Sequence, residues 1–258
     1  MKDISENSGE KIYIEGMTSV SALINACRAG TNRRDILEVY FDKNKTHSDF
    51  RRFRFLSAAS AELGFRLSTV GADMIEEIST GRTHGGIIAS VTSSVYPELS
   101  QDEIKKNGFA VLMEGLEDPY SLGNSIRTLY ACGADMLILP HRLPDGADTV
   151  IARSSAGTSE ILPIFVSDPV SAAELFKING YKIVGAGIRD SVESFEADLS
   201  RPVLLVVGGE KRGLSSALSD KCDFMVRIPY GRDFMGSLSS SSSVAILAYE
   251  VLRNNRNK

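Results

Sequence analysis

Short unbroken apolar runs recur along this chain, and between them apolar residues return every three or four positions. The first pattern predicts buried strands and the second amphipathic helices. The clearest case lies mid-chain. Residues 109–116 (FAVLMEGL) and 136–140 (MLILP) read as strands, and 117–133 (EDPYSLGNSIRTLYACG) reads as a turn-rich loop and a short helix closed by Gly133. Strand, loop, helix and strand form a βαβ unit. Ligands of such sheets sit at the carboxyl ends of the strands. Residues 118–123 are therefore a candidate active-site loop, with Arg127 in the first turns of the helix behind it. Ordinary turn punctuation and a solvated arginine are the alternative.

The rest of the chain follows the same alternation. In the first half, strands are expected at 12–16, 36–42, 65–70 and 85–91, with helices at 17–30, 48–64 and 72–80. Ser48 is the expected N-cap of the middle helix and Gly64 its stop. Residues 1–10 are polar and read as a disordered start, and 11–92 as a small α/β domain. Residues 93–107, polar with a proline and a charge run, read as a linker. A second domain spans 108–258. After 136–140 it offers strands at 161–166, 181–188, 203–210 and 224–229, helices at 169–179 and from 211, and a long final helix at 237–253. Apolar strands alternating with helices predict a mainly parallel sheet covered on both faces.

Composition narrows the function. The chain has 258 residues, 43% hydrophobic and 24% charged, with a formal net charge of −4. A nucleic-acid partner must then be held by local patches, since no basic field covers the molecule. Cys27, Cys132 and Cys222 form no CxxC pair, and His47, His84 and His141 lack metal-ligand spacing, so neither a disulfide framework nor a metal site is expected. The polar N-terminus is no signal peptide, and no apolar run approaches the ~20 residues of a membrane span. The cytoplasm is the expected compartment, with no membrane partner.

Three glycine-bearing loops follow strands of the second half: 118–123, 208–213 (GGEKRG) and 230–236. Glycine after a buried strand lets the backbone approach a ligand, so these loops suit a nucleotide-like molecule. There is no phosphate-loop GxxxxGK[ST], and the GAG of Gly185 to Gly187 lacks the third glycine of a dinucleotide fingerprint. The serines from Ser237 to Ser243 open a helix, where they hold an anion or simply cap, with Ser237 as the expected cap.

With these loops in view, the chain resembles the SpoU (TrmH) family of SPOUT RNA ribose 2′-O-methyltransferases. Asp118, Pro119, Gly123 and Arg127 fall on the first motif, D-P-x-N-x-G-x-x-x-R; Gly208, Glu210, Gly213 and Leu214 fall on the second, G-x-E-x-x-G-L. Ile228, Pro229, Ser237 and Leu238, with the helix AILAYEVL, fall on the third. The segment SSAGTSEILPIF resembles the family's SxGA-type stretch, and His84, Gly85 and Gly86 resemble the strand-opening H-Q-G of its N-terminal substrate-binding domain. Two positions depart from the pattern: Ser121 and Ser239 stand where the motifs have asparagine.

The resemblance implies an α/β fold, with a C-terminal SPOUT domain tied in a deep trefoil knot and a small N-terminal α/β RNA-binding domain. It implies a homodimer that uses S-adenosylmethionine to methylate a ribose 2′-oxygen, in ribosomal RNA rather than tRNA. Gly187, Gly208, Gly209, Ile228, Leu238 and Ser239 are the implied cofactor contacts. Arg127, Glu210, Ser237, Ser121 and Asn124 are the implied catalytic group. In that group Arg127 works with the other subunit, Glu210 anchors its loop or orients Arg127, and Ser237 fixes the third loop against substrate. Asn124, three residues after Ser121, replaces the missing amide. For RNA contact the candidates are Arg51, Arg52 and Arg54, with Phe53 turned inward, supported by Arg28, Arg33, Arg34 and His84; solvated helix faces are the alternative. The other reading of the whole chain is an RNA-binding protein of this fold with methyl transfer weakened or lost, on account of Ser121 and Ser239.

Overall fold

The computed structural model describes residues 12–115, 118–141, 147–210 and 212–256. The expected disordered start lies outside them. The chain divides into two compact units, Met1–Val95 and Tyr96–Lys258.

The first unit runs β1 (Ile12–Glu15), α1 (Met17–Ala29), β2 (Ile36–Asp42), α2 (Phe50–Leu63), β3 (Arg66–Val70), α3 (Ala72–Ile78) and β4 (Ile87–Val91). Its four-stranded sheet has the order β1-β4-β2-β3. Only β2 and β3 are parallel; β4 runs antiparallel to both β1 and β2. Two expectations are corrected here. Helix α2 is capped at Asp49 rather than Ser48, because the Asp49 amide already bonds the Lys45 carbonyl and the chain is turning before the helix proper. Strand β4 opens at Ile87 rather than Gly85: Gly85 and Gly86 both take positive φ, in a turn that a strand cannot contain.

The second unit holds β5 (Phe109–Met113), α4 (Pro119–Ala131), β6 (Met136–Leu139), α5 (Asp148–Ser154), β7 (Ile164–Val166), α6 (Pro169–Ile178), β8 (Lys182–Ala186), β9 (Ser191–Glu193), β10 (Val203–Val207), α7 (Ser216–Ser219), β11 (Phe224–Arg227) and α8 (Ser240–Asn255). All seven strands are parallel, in the order β7-β6-β5-β10-β8-β11-β9. The short edge strand β9 lies between the strands expected at 181–188 and 203–210; its alternation of exposed and half-buried residues is too brief to register as a pattern. Of the expected linker, residues 96–107 pack on this unit. The Leu99 amide bonds the Val166 carbonyl, Tyr181 donates its hydroxyl proton to the Lys105 carbonyl at 2.6 Å, and Leu99 and Ile104 pack on the core.

Alternation along the central strands explains why these runs are apolar throughout. Phe109, Val111 and Met113 of β5, with Val203, Leu205 and Val207 of β10, face a core shared with Leu122, Ile126 and Leu129 of α4 and Val244, Leu247 and Val251 of α8. Ala110 and Leu112, with Leu204 and Val206, face the opposite core beside Ala172, Ala173 and Phe176 of α6. Each fully buried aliphatic side chain contributes about 1.5–3 kcal/mol.

Gly123 serves this packing. It lies inside α4 rather than in a ligand loop. A Cβ there overlaps the Ser154 hydroxyl and sits 2.9 Å from the Ile151 carbonyl oxygen of α5. Gly123→Ala is expected to destabilise the unit by about 1–3 kcal/mol, read as a lower thermal midpoint. Adding Ser154→Gly should restore part of the loss, and no recovery in the double variant would show that the two helices do not meet as described.

Candidate active site

Inserting β10 between β5 and β8 brings the ends of β5, β10, β8 and β11 side by side. Two adjoining cavities open there. The first, of about 340 Å³, is lined by the chain just after β8 (Gly187, Ile188, Arg189), by Gly208, Gly209 and Glu210 after β10, by Ile228, Tyr230, Ser237 and Leu238 after β11, and by Leu247 of α8. The second, of about 620 Å³, is lined by Glu114, Gly115, Asp118, Ser121, Arg212 and Ser215. Gly209, Glu210 and Gly213 belong to both and form the shared wall.

That wall is a tight turn folded on itself. The Gly213 amide bonds the Gly209 carbonyl at 2.9 Å, with Gly213 at φ +64. A Cβ on Gly208 overlaps the Gly213 carbonyl and the Leu214 amide nitrogen, and one on Gly209 comes within 2.5 Å of the Gly115 carbonyl oxygen. Polar side chains fasten this turn to its neighbours. Glu210 Oε1 accepts from the Ser240 amide at 3.2 Å, Ser240 donates its hydroxyl to the Gly208 carbonyl at 3.1 Å, and Glu114 Oε2 accepts from the Ser215 amide at 2.8 Å. Tyr230 closes the third loop, its hydroxyl oxygen accepting from the Leu238 amide at 3.2 Å.

The structure therefore gathers Gly187, Gly208, Gly209, Ile228, Leu238, Glu210 and Ser237 around one cavity and places Ser121 on the adjoining one. Of the two tasks expected for Glu210, the anchoring one is seen, because its carboxylate holds the start of α8. Ser239 is placed differently. It is the N-cap of α8, accepting from the Ser242 amide, and is absent from the cavity lining; Ser237, the expected cap, lies in the extended chain before it. Serine and asparagine cap about equally well, so this departure from the motif leaves the helix start intact. Ser121 is likewise built into a cap. Asp118 accepts from the Tyr120 and Ser121 amides and from the Ser121 hydroxyl at 2.7 Å. The Ser121 hydroxyl, followed by the two amides, holds the Asp118 carboxyl below the usual carboxylate range.

Arg127 and Asn124 stand outside both cavities. With Tyr120 and Tyr130 they form the exposed face of α4, because Leu122, Ile126 and Leu129 take the buried face. Asn124 therefore does not point with Ser121 into the adjoining cavity. Sequence reasoning named the loops that hold Tyr230 and Arg212, but missed Arg189 and Leu247 on the first cavity and Glu114 and Ser215 on the second. The glycines of GAG were the available signal for the loop after β8; the others become neighbours only through strand order.

The family model for the SpoU rRNA Methylase family matches residues 108–249. The chain belongs to the SpoU rRNA methylase family. It is 30% identical over 196 residues to a Bacillus subtilis protein named as a TrmH family tRNA/rRNA methyltransferase, YacO, covering 74% of this chain and 78% of the relative. Among solved structures, its fold matches an AdoMet-bound rRNA methyltransferase from Sinorhizobium meliloti with TM-score 0.77 and 22% identity, over 94% of this chain and 87% of that one. A structure described as an RNA 2′-O ribose methyltransferase matches with TM-score 0.75 and 22% identity, over 96% and 90%. The resemblance carried by the three motifs is thus a membership. The expectation of S-adenosylmethionine as the methyl donor of this RNA methyltransferase stands with the family.

The first cavity fits that cofactor. Its floor is main chain and glycine, its walls are the apolar Val207, Ile228, Leu238 and Leu247, and its volume lies in the range of small-molecule sites. Among the described residues no cluster of His, Cys, Asp and Glu could hold a metal ion, and no helix is long and apolar enough to cross a membrane.

The N-terminal candidates differ in their surroundings. Arg28 is engaged by Glu62, with its Nη2 at 2.7 Å, and lies over the Phe55 ring. Arg34 and His84 are buried; Arg34 donates to the Ser94 hydroxyl, while His84 accepts from the Gly86 amide and lies 3.2 Å from Glu76. Arg33 is half-buried. Arg34 and His84 are therefore corrected from surface contacts to parts of the unit's own framework, while Arg28 stays exposed at its ion pair. Arg51, Arg52 and Arg54 are exposed, and Phe53 turns inward against Phe41 as expected.

Proposed function

We propose that the chain methylates the 2′-oxygen of a ribose in ribosomal RNA, working as a homodimer in the cytoplasm, its C-terminal segment tied in the family's knot. The observation that carries this reading is the split of the three motifs: the second and third line one cavity, while Arg127 of the first faces outward from α4. An arginine so placed serves a cavity on another chain. The exposed Tyr120 and Tyr130 of α4, and Ile246 and Tyr249 of α8, give a dimer contact its apolar material.

Gly187, Gly208, Gly209, Ile228 and Leu238 hold the cofactor, whose sulfonium supplies an already activated methyl group. The chain's remaining tasks are alignment and charge. Glu210 locks the second loop to the start of α8, so that the cavity floor does not move. Arg127 binds the phosphate beside the target ribose and stabilises the developing alkoxide. It is not the base, because guanidinium stays protonated in proteins; the proton leaves to phosphate or water. Arg212 and Ser121 lie on the adjoining cavity, where the ribose enters. Ser121 donates into the Asp118 cap and Ser239 caps α8, so both serines keep the helix starts where the motifs have asparagine.

The test is transfer of labelled methyl from S-adenosylmethionine to ribosomal and transfer RNA, followed by nucleoside analysis. Label in 2′-O-methylribose of ribosomal RNA is the expected result. Label in a base, or in tRNA alone, would overturn the substrate named here.

A further inference from the structure

The first unit carries an exposed aromatic ring among exposed cations at the start of α2. Residues 43–45 form a single tight helical turn, the Asp49 amide bonds the Lys45 carbonyl, and α2 then runs from Phe50 to Leu63. Phe50 and Arg54 lie one turn apart on α2 with Arg51 alongside, Lys43 and His47 lie in the turns just before it, and all five are exposed. Phe50 is 58% exposed, although it is one of the larger apolar side chains available for a core. Phe53, three residues on, is the ring that packs inward.

Charge separates this cluster from an ordinary apolar patch. From 43 to 61 the sequence has five lysines and arginines against one carboxylate, Asp49, in a chain of net charge −4. Asp49 is taken by Arg52 at 2.7 Å, and among the described residues Arg51 and Arg54 have no ion pair. An exposed ring flanked by cations is the arrangement that binds single-stranded nucleic acid: the ring stacks a base and the cations hold the phosphates on either side.

We infer that Phe50, flanked by Lys43, His47, Arg51 and Arg54, stacks an unpaired base of the RNA. This rests on RNA being the substrate and adds the form of RNA recognised, single-stranded rather than duplex.

The experiment is a binding titration of the full chain with labelled single-stranded oligoadenylate and with a blunt RNA duplex, alongside calorimetric titration of S-adenosylmethionine. Phe50→Ala is expected to weaken oligoadenylate binding about tenfold or more. Phe50→Trp should restore it, and duplex and cofactor binding should stay unchanged. Arg54→Ala should lower the salt dependence of binding. Oligoadenylate binding that is absent in the wild type, indifferent to Phe50→Ala, or lost in parallel with duplex binding would overturn the inference. So would a Phe50→Ala variant whose RNA binding is intact while its self-association falls, which would make the cluster a protein contact. Failure of cofactor binding with oligoadenylate binding still dependent on Phe50 would sink the proposed reaction and leave this cluster standing.

Discussion

Arg127→Ala is expected to slow methyl transfer about a hundredfold to a thousandfold, the usual loss when one donor to a developing oxyanion is removed. Cofactor affinity and thermal stability should not change. Arg127 is exposed on α4, lines neither cavity and has no ion pair among the described residues, so its removal disturbs no packing. Arg127→Lys should recover only a part, because a point charge on a flexible stem does not reproduce the planar fork that grips a phosphate. Single-turnover transfer to RNA, with calorimetry for the cofactor, reads these out. A variant that transfers methyl at the wild-type rate would remove Arg127 from the reaction.

Gly208→Ala should abolish useful cofactor binding, a loss of about a hundredfold or more. The new Cβ meets no side chain that could swing away; it overlaps the Gly213 carbonyl and the Leu214 amide. Overpacking of this kind costs ~1–3 kcal/mol even where neighbours can shift. Here the strand behind the turn, β10, is buried and fixed between β5 and β8. The turn must therefore open, and it forms the wall shared by both cavities. Gly187 gives the contrast. A Cβ there comes within 2.5 Å only of the terminal methyl of Met225, a flexible side chain, so Gly187→Ala should be much milder. Near-wild-type cofactor affinity in Gly208→Ala would mean that the turn does not form the floor of the site.

The two variants together test the composite site. When Arg127→Ala and Gly208→Ala chains are mixed and allowed to exchange, the proposed dimer would hold one intact site in its mixed form: a sound cavity on the first chain and Arg127 from the second. Activity should return on mixing. If Arg127 serves its own chain, no mixture regains activity.

Some of this was legible in the residues and some was not. The buried strands of the second unit could be read directly, because a parallel sheet covered on both faces needs apolar side chains at every position. The short strand β9 could not, being only Ser191–Glu193 at the sheet edge. The outward face of Arg127 was available in principle, since Leu122, Ile126 and Leu129 fall on the opposite side of α4 at helical spacing. Arg34 and His84 misled for the opposite reason. A charged residue in a sequence does not show whether its partner is solvent, RNA or, as for Arg34, a serine hydroxyl sixty residues away.

By itself the sequence determined most of the longer strands and helices, and it set three motifs in order along the second half. These depend on local apolar pattern and turn chemistry, which neighbouring residues carry. The tertiary structure decided which loops meet. Strand β10 enters between β5 and β8, and only that long-range pairing puts the turns after residues 113, 186, 207 and 227 on one edge. It also gave the motif glycines different duties. Gly123 lets α4 close on α5, while Gly208 lets a loop close on itself. A glycine in a sequence shows that a side chain is absent, and only the folded chain shows what occupies the space.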